Sequence, residues 1–136
     1  MTAIKLTEAT INDVEILQKI GRQTFSETFA SSNTEADMAS YLDTGFAIQK
    51  LADELNDSNA KFYFALFNEK VVGYLKLNFG ESQTEIKDNK AVEIERIYVL
   101  KEFQGKNIGQ LLYEKAIQVA HPDKDLIDEA EKAAQF

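Results

Sequence analysis

The residues with the clearest chemical potential form a short loop between a predicted strand and a predicted helix. The loop reads Gln104-Gly105-Lys106-Asn107-Ile108-Gly109 and opens a helical pattern that runs to Ala120. The first N–H groups of a helix have no carbonyl partner and lie at the positive end of the helix dipole. Because glycine lets the backbone approach a ligand closely, this loop could bind a phosphate or pyrophosphate group.

The same loop has a simpler interpretation. An ordinary strand-to-helix turn, in which Gly105 supplies a positive φ, would also contain two glycines. The loop lacks the Gly-Lys-Ser/Thr of a Walker A motif, and it does not stand near the start of a βαβ unit as a dinucleotide fingerprint would. The glycines alone therefore leave both a phosphate site and a turn open.

Glu93 and Glu95 have the same parity on a predicted strand from Ala91 to Val99. A carboxylate on a half-buried strand can have its pKa raised towards neutrality, but a glutamate on a strand indicates little by itself. The alternative is that Glu93 is a strand residue that faces solvent. No metal site is predicted, because the chain has one histidine, His121, and no cysteine.

Hydrophobic periodicity predicts the elements that must position these residues. The helix stripes expected to face the core begin at Ile11 and include Tyr41, and Thr10 is the expected N-cap of the first helix. Strands are predicted at residues 3–8, 61–67, 71–79 and 91–99, and helices at residues 11–28, 34–43, 47–55 and 108–120.

The predicted strand at residues 91–99 contains a break in its alternation of apolar and polar residues. Val92 and Ile94 share one parity, whereas Ile97 and Val99 share the other. A one-residue slip of this kind is what a β-bulge produces, and bulges often lie next to active sites. The sequence therefore predicts a bulge directly before the glycine loop.

Composition narrows the class of protein. The 136 residues, 44% of them hydrophobic, predict one domain with a sizeable core. A net charge of −8 disfavours nucleic acid and anionic membranes and suits a cationic substrate, although acidity can also serve solubility alone. With no cysteine, no secretory signal and no apolar run of roughly 20 residues, a cytoplasmic protein is expected.

The stretch from Ile94 to Val99, followed by Phe103 to Gly109 and Leu111-Leu112, resembles motif A of the GNAT superfamily of N-acetyltransferases. The family pattern is Gln/Arg-x-x-Gly-x-Gly/Ala after a strand with an apolar-Tyr-Val ending. Over Met1 to Ala120 the chain is most similar to PaiA-type polyamine acetyltransferases. The resemblance implies an α/β (α+β) fold whose mixed, mainly antiparallel sheet is flanked by helices.

The resemblance also implies roles for individual residues. Acetyl-CoA would be the co-substrate, and a polyamine or related small primary amine would receive the acetyl group. The amides from Gln104 to Gly109 would hold the pyrophosphate, and the segment Ile97, Tyr98, Val99 would pair with the pantetheine arm like an added strand. An amide at or beside Val99 would stabilise the oxyanion. Glu93 stands where several members of the family have a general base, which would remove the proton of the amine directly or through water, and Glu95 is the second candidate.

Two departures from the family pattern are visible. Asn107 replaces the usual glycine, although asparagine tolerates left-handed geometry. His121 to Phe136 does not match the usual C-terminal strands and helix, so we expect a domain over residues 1–120 truncated at its C-terminal end, and a charged, helical tail over residues 121–136. The sheet would then have an open edge, covered by the tail or paired in a homodimer. A non-catalytic protein that binds coenzyme A weakly or not at all is the alternative.

Overall fold

The structure is a computed structural model, and it describes residues 4–84 and 92–120. All the helices and strands predicted up to residue 120 are present, with their ends shifted by a few residues. Short 3-10 turns lie at Ile11–Asp13, Ala30–Ser32, Gly80–Ser82 and Lys101–Phe103. The strands and helices are β1 Lys5–Glu8, α1 Val14–Phe29, α2 Glu35–Gly45, α3 Ile48–Asn56, β2 Ala60–Phe67, β3 Lys70–Phe79, β4 Val92–Val99 and α4 Ile108–Ala120.

The four strands form one sheet in the order β1-β2-β3-β4. Each pair of neighbours is antiparallel, which confirms the predicted class of a mainly antiparallel sheet flanked by helices. The hairpin between β2 and β3 turns at Asn68 and Glu69, whose φ angles are 51° and 66°. Two consecutive positive φ angles match the right-handed twist of the strands that the turn connects.

Helices cover both faces of the sheet. Glu54 of α3 contacts Lys76, so α3 lies on the face that Lys76 shares with its cross-strand partner Phe62. Lys115 of α4 lies over the ring of Tyr63, so α4 covers the opposite face. The buried core of the described residues fills both interfaces. The sheet therefore holds β4 between two helical layers, next to the loop that begins α4.

Two expectations about the core are wrong. Ile11 is 40% exposed because it lies in a 3-10 turn, whose angular spacing differs from that of the α-helix it precedes. Tyr41 is 49% exposed, because α2 buries only Met38. Thr10 is the N-cap of the 3-10 turn that leads into α1, whose own N-cap is Asp13, and the N–H of Thr10 donates to Asp13 Oδ2 at 2.8 Å.

Some predictions lie outside the described residues. These are the charged helical tail over residues 121–136 with His121, the first position of the predicted β4 strand, and most of the loop between β3 and β4. Among the helices that the structure does describe, none is long and apolar enough to cross a membrane.

Candidate active site

The predicted β-bulge is present in β4. Arg96 lies opposite Lys76 of β3, and Ile94 lies opposite the next β3 residue, Leu77. Glu95 is therefore an extra residue that has no cross-strand partner. Because the extra residue shifts the alternation of side chains by one position, the bulge explains the change of hydrophobic parity seen in the sequence.

The bulge puts all the apolar side chains of β4 on one face. Ile94 and Ile97 lie opposite Leu77 and Leu75, two β3 residues that are fully buried. In a regular strand, residues three apart would point to opposite faces. The bulge therefore lets β4 bury both isoleucines beneath α4, while its polar residues face α3.

After β4 the chain turns sharply into the glycine loop. The N–H of Leu100 still donates to the carbonyl of Val72 at 2.8 Å, and a 3-10 turn follows. Gly105 then has a φ of 85° and Asn107 a φ of 65°. Asn107 thus adopts the left-handed conformation that the sequence predicted for it, a conformation that L-residues other than glycine, asparagine and aspartate rarely adopt.

The loop delivers the first turn of α4 to an open cleft. Leu111 is the first residue whose N–H bonds back to the loop, at 3.1 Å from the carbonyl of Asn107. The amides of Ile108 and Gly109 stand at the N-terminal end of the helix, where no intrahelical carbonyl is available to them. The cleft has a volume of about 380 Å³ and is lined by Ile97, Tyr98, Val99, Phe103, Gln104, Gly105, Asn107, Ile108, Gly109 and Gln110.

The structure brings together all the predicted cofactor-binding residues except Lys106, which does not line the cleft. Sequence reasoning missed Phe103 and Gln110 as lining residues. Their positions directly before and after the loop were the available signal. Phe103 packs against Phe67 of β2 with ring centroids 5.4 Å apart, so it forms a fixed apolar wall.

Two hydrogen bonds fix the loop relative to its surroundings. Gln104 Nε2 donates to the carbonyl of Val99 at 3.1 Å, which ties the loop to the end of β4. The N–H of Lys101 donates to Glu27 Oε1 at 2.8 Å, which ties the preceding turn to α1. The loop is therefore held from two sides.

Glu93 is not among the residues that line the cleft. It is on the α3 face of the sheet, where its carboxylate accepts hydrogen bonds from Asn78 Nδ2 at 2.9 Å and from the N–H and Oγ1 of Thr84 at 2.9 and 2.8 Å. The Asn78 and Thr84 bonds hold the pKa of Glu93 below its ordinary value. The expected rise of this pKa is wrong, because partners that favour the charged carboxylate outweigh its slight burial.

Glu95, the second candidate, belongs to a partly buried ion network. Its carboxylate contacts Lys76 Nζ at 2.9 Å and Arg96 Nη2 at 3.2 Å. Burial would raise the pKa of Glu95, but hydrogen bonds from Asn78 and Lys76 and the charges of Lys76 and Arg96 hold it below its ordinary value. Glu95 is thus engaged by side chains of the fold itself.

Several tyrosine and acidic side chains outside the cleft have structural positions. Tyr63 and Tyr74 are buried in the core, and burial raises the pKa of Tyr74 to about 12. Glu35 and Asp37 lie in the first turn of α2, where Thr34 caps the helix. Across the part of the chain that the structure describes, no group of three or more His, Cys, Asp or Glu side chains could hold a metal ion.

The sequence matches the acetyltransferase (GNAT) family over residues 22–132. The chain belongs to this family, whose enzymes transfer an acetyl group from acetyl-CoA.

Relatives and solved structures agree with this assignment. An uncharacterized N-acetyltransferase in the pepI 3′ region of Lactobacillus delbrueckii subsp. lactis is 37% identical over 116 residues, which are 85% of this chain and 67% of that protein. Spermidine N(1)-acetyltransferase of Thermoplasma acidophilum is 26% identical over 86% of this chain and 70% of its own. The crystal structure of the PaiA N-acetyltransferase from Thermoplasma acidophilum, in complex with coenzyme A, has a TM-score of 0.75 at 22% identity and covers 88% of this chain and 73% of its own.

Proposed function

We propose that this protein transfers the acetyl group of acetyl-CoA to the primary amine of a polyamine or a related small amine. The observation that carries the proposal is the cleft in which the end of the bulged strand β4 meets the N-terminus of α4. The amine class is supported by the spermidine acetyltransferase among the relatives and by the net charge of −8, which attracts polycations.

The cleft fits the two chemically different parts of coenzyme A. The amides of the loop from Gln104 to Gly109 suit the pyrophosphate, because they lie at the positive end of the helix dipole, although the N–H of Gln104 already donates to the carbonyl of Lys101 at 3.2 Å. Ile97, Tyr98 and Val99 belong to a strand that pairs only with β3 among the described residues. The pantetheine arm can therefore run back along the free edge of β4 as an added strand.

The reaction is attack of a neutral amine on the thioester carbonyl. The nitrogen–carbon bond forms, the carbon–sulfur bond breaks, and coenzyme A leaves as the thiolate, while the amine proton passes to a base. An amide at or beside Val99 would stabilise the oxyanion. Glu93 would accept the proton through water: its lowered pKa keeps the carboxylate charged at neutral pH, and also makes it a weaker base than a carboxylate tuned towards neutrality.

A second candidate function is a non-catalytic GNAT-like protein that dimerises and binds coenzyme A weakly. The observation that favours it is the same free edge of β4, which a second copy could pair with instead of the pantetheine arm. The two candidates differ in turnover with an amine, and in whether acetyl-CoA competes with dimer formation.

A thermal-shift titration with acetyl-CoA, with adenosine as the control ligand, tests the proposal. At 100 times its dissociation constant, a ligand stabilises a fold by about 2.7 kcal/mol. In a domain of this size that raises the melting temperature by roughly 5 to 10 °C. A saturable shift with acetyl-CoA but not with adenosine supports the site, and acetylation of spermidine then tests the substrate class.

Gly109 offers a matched pair of variants for this titration. No atom lies within 4 Å of a Cβ added there, so Gly109→Ala and Gly109→Asp both fit. An aspartate in the first turn of α4 favours the helix dipole but repels pyrophosphate. We expect Gly109→Asp to fold normally and lose the acetyl-CoA shift, while Gly109→Ala keeps most of it. An equal shift in both variants would contradict the pyrophosphate site.

A further inference from the structure

The bulge in β4 determines which amides of the strand point outward. Successive N–H groups of a strand point to alternate edges, so inserting one residue reverses the direction of every N–H that follows. The direction of the amides from Ile97 to Val99, which line the cleft, therefore depends on the extra residue Glu95 staying out of register.

The side chain of Glu95 spans the point where the register slips. The slip lies between Lys76 and Leu77 of β3. Glu95 Oε1 accepts from Lys76 Nζ at 2.9 Å on one side of the slip, and from Asn78 Nδ2 at 2.7 Å on the other. One carboxylate oxygen thus bridges the β3 residues on both sides of Leu77.

A second acidic residue ties this bridge to the helical layer. Glu54 of α3 contacts Lys76 Nζ at 2.7 Å and Arg96 Nη2 at 3.4 Å. Asn78 is fully buried, and the side chain of Lys76 is only 9% exposed. Removing one member of a buried ion network leaves the others without compensation, so the network favours the single arrangement that satisfies all of them.

We propose that Glu95 is a positioning residue for the coenzyme A site, whose carboxylate locks the bulge and so directs the alternate, outward-pointing amides of the segment Ile97 to Val99 into the cleft. The inference rests on the proposed function, because it assigns those amides to the pantetheine arm. Glu95 itself touches side chains of β3 and β4 and not the cleft. Its effect on the ligand is therefore indirect.

The distinctive readout is the ratio of two affinities measured by calorimetry. Coenzyme A uses both the loop and the strand, whereas ADP carries the pyrophosphate without the pantetheine arm. We expect Glu95→Ala to weaken coenzyme A binding by about 10- to 100-fold, the range that a small misplacement of binding groups produces, and to leave ADP binding unchanged. Glu95→Gln, which keeps an oxygen for Lys76 and Asn78, should recover part of the loss.

Glu15→Gln is the matched control, because it removes a carboxylate from an exposed position of α1. It should bind both ligands as the unmodified protein does. An unchanged ratio in Glu95→Ala would overturn the proposal. Equal weakening of coenzyme A and ADP would also overturn it, because that result means general damage to the site.

A ligand-free measurement separates this inference from the proposed function. Hydrogen–deuterium exchange of the β4 amides should be faster in Glu95→Ala than in Glu15→Gln, with the exchange of β1 and β2 unchanged. If the unmodified protein binds neither ligand, the proposed function fails, and exchange still decides whether Glu95 locks the bulge. Equal exchange of β4 in the two variants would refute the lock.

A deletion variant tests the lock in the opposite direction. Without Glu95 the strand reads Val92-Glu93-Ile94-Arg96-Ile97-Tyr98-Val99, which alternates strictly between apolar and polar residues. Such a strand can pair regularly with β3 and still bury its isoleucines. Ile97 would still lie opposite Leu75, so the amides that follow would keep their direction without a lock. We expect the deletion variant to fold and to bind coenzyme A more tightly than Glu95→Ala does. A folded deletion variant that binds coenzyme A no better than Glu95→Ala would overturn the proposal.

Discussion

Glu27 Oε1 accepts a hydrogen bond from the backbone N–H of Lys101 at 2.8 Å, although the two residues are 74 positions apart in the sequence. Lys101 begins the 3-10 turn that leads from β4 to the glycine loop. The last turns of α1 are thus tied to the approach to the cleft at the N-terminus of α4. Helix α1 therefore contributes to the orientation of a loop with which it shares no sequence neighbourhood.

Replacing Glu27 by alanine should loosen this approach. The bond is exposed, so water can replace the carboxylate, and we expect a loss of stability of no more than about 1 kcal/mol. The KM for acetyl-CoA should rise several-fold while kcat is kept. Gln23→Ala is the control, because Gln23 contacts Glu27 at 3.4 Å without touching the loop. An unchanged KM would show that the bond does not position the loop.

Asn107 should tolerate glycine but not valine. Its φ of 65° is a left-handed conformation that costs most residues about 1 to 2 kcal/mol, and β-branched residues are the least suited to it. We expect Asn107→Val to lower the free energy of unfolding by that amount and to weaken acetyl-CoA binding. Asn107→Gly should preserve both. Urea unfolding and calorimetry measure them, and equal stability of the two variants would contradict the assigned loop conformation.

The sequence predicted the parts of the site that depend on local patterns. The bulge followed from the change of parity between Ile94 and Ile97, and the loop followed from two glycines before a helical stripe. The conformation of Asn107 followed from its residue type. Each of these signals lies within about one turn or strand of the feature it specifies, and so one stretch of sequence was enough.

The ion network could not be predicted from local patterns. Glu54, Lys76 and Arg96 come from three separate elements, and each looks like an ordinary surface charge when its own segment is considered alone. The direction of the pKa shift of Glu93 was missed for the same reason, because it depends on Asn78, 15 positions earlier, and on Thr84. Only the packing of α3 and the pairing of β3 with β4 bring these groups together.

Gly73 should be needed for the close approach of β3 to the end of β4. A Cβ at Gly73 would lie 2.8 Å from the carbonyl oxygen of Tyr98 and 3.4 Å from Val99 Cα, which are backbone atoms that cannot move alone. We therefore expect Gly73→Ala to lower the melting temperature and weaken acetyl-CoA binding together. Gly45→Ala is the control, because no atom lies within 4 Å of its added Cβ. Wild-type affinity in Gly73→Ala would refute this coupling.

The network around Glu54 should make stability fall in acid. Burial would raise the pKa of Glu54, but hydrogen bonds from Lys50 and Lys76 and the charge of Arg96 hold it below its ordinary value of 4.5. A lowered folded-state pKa gives stabilisation that is present above the unfolded-state value and is lost as pH falls through the folded-state value. The loss should therefore occur below pH 4.5.

Urea unfolding at neutral pH and in acid measures this dependence. Glu54→Gln should be less stable than the unmodified protein at neutral pH, because Lys76 and Arg96 lose a charged partner, and its stability should fall less steeply in acid. In Glu15→Gln the free energy of unfolding should fall with pH as steeply as in the unmodified protein, since this change removes an exposed carboxylate outside the network. If the free energy of unfolding fell equally steeply with pH in the unmodified protein and in Glu54→Gln, Glu54 would not titrate as assigned.

The pH profile of turnover should separate Glu93 from the substrate amine. Because Asn78 and Thr84 hold the pKa of Glu93 below 4.5, this carboxylate stays charged across the neutral range and contributes no titration there. The rise of kcat/KM with pH then reports loss of the proton from the amine. We expect Glu93→Gln to lower kcat by about 100-fold, in the range of general-base effects, without moving that rise.

Glu69→Gln, an exposed change in the β2–β3 turn, is the control and should alter neither kcat nor the pH of the rise. A shift of this rise in Glu93→Gln would mean that Glu93 titrates in the neutral range in the free protein, against its assigned pKa, and an unchanged kcat would remove Glu93 from the reaction.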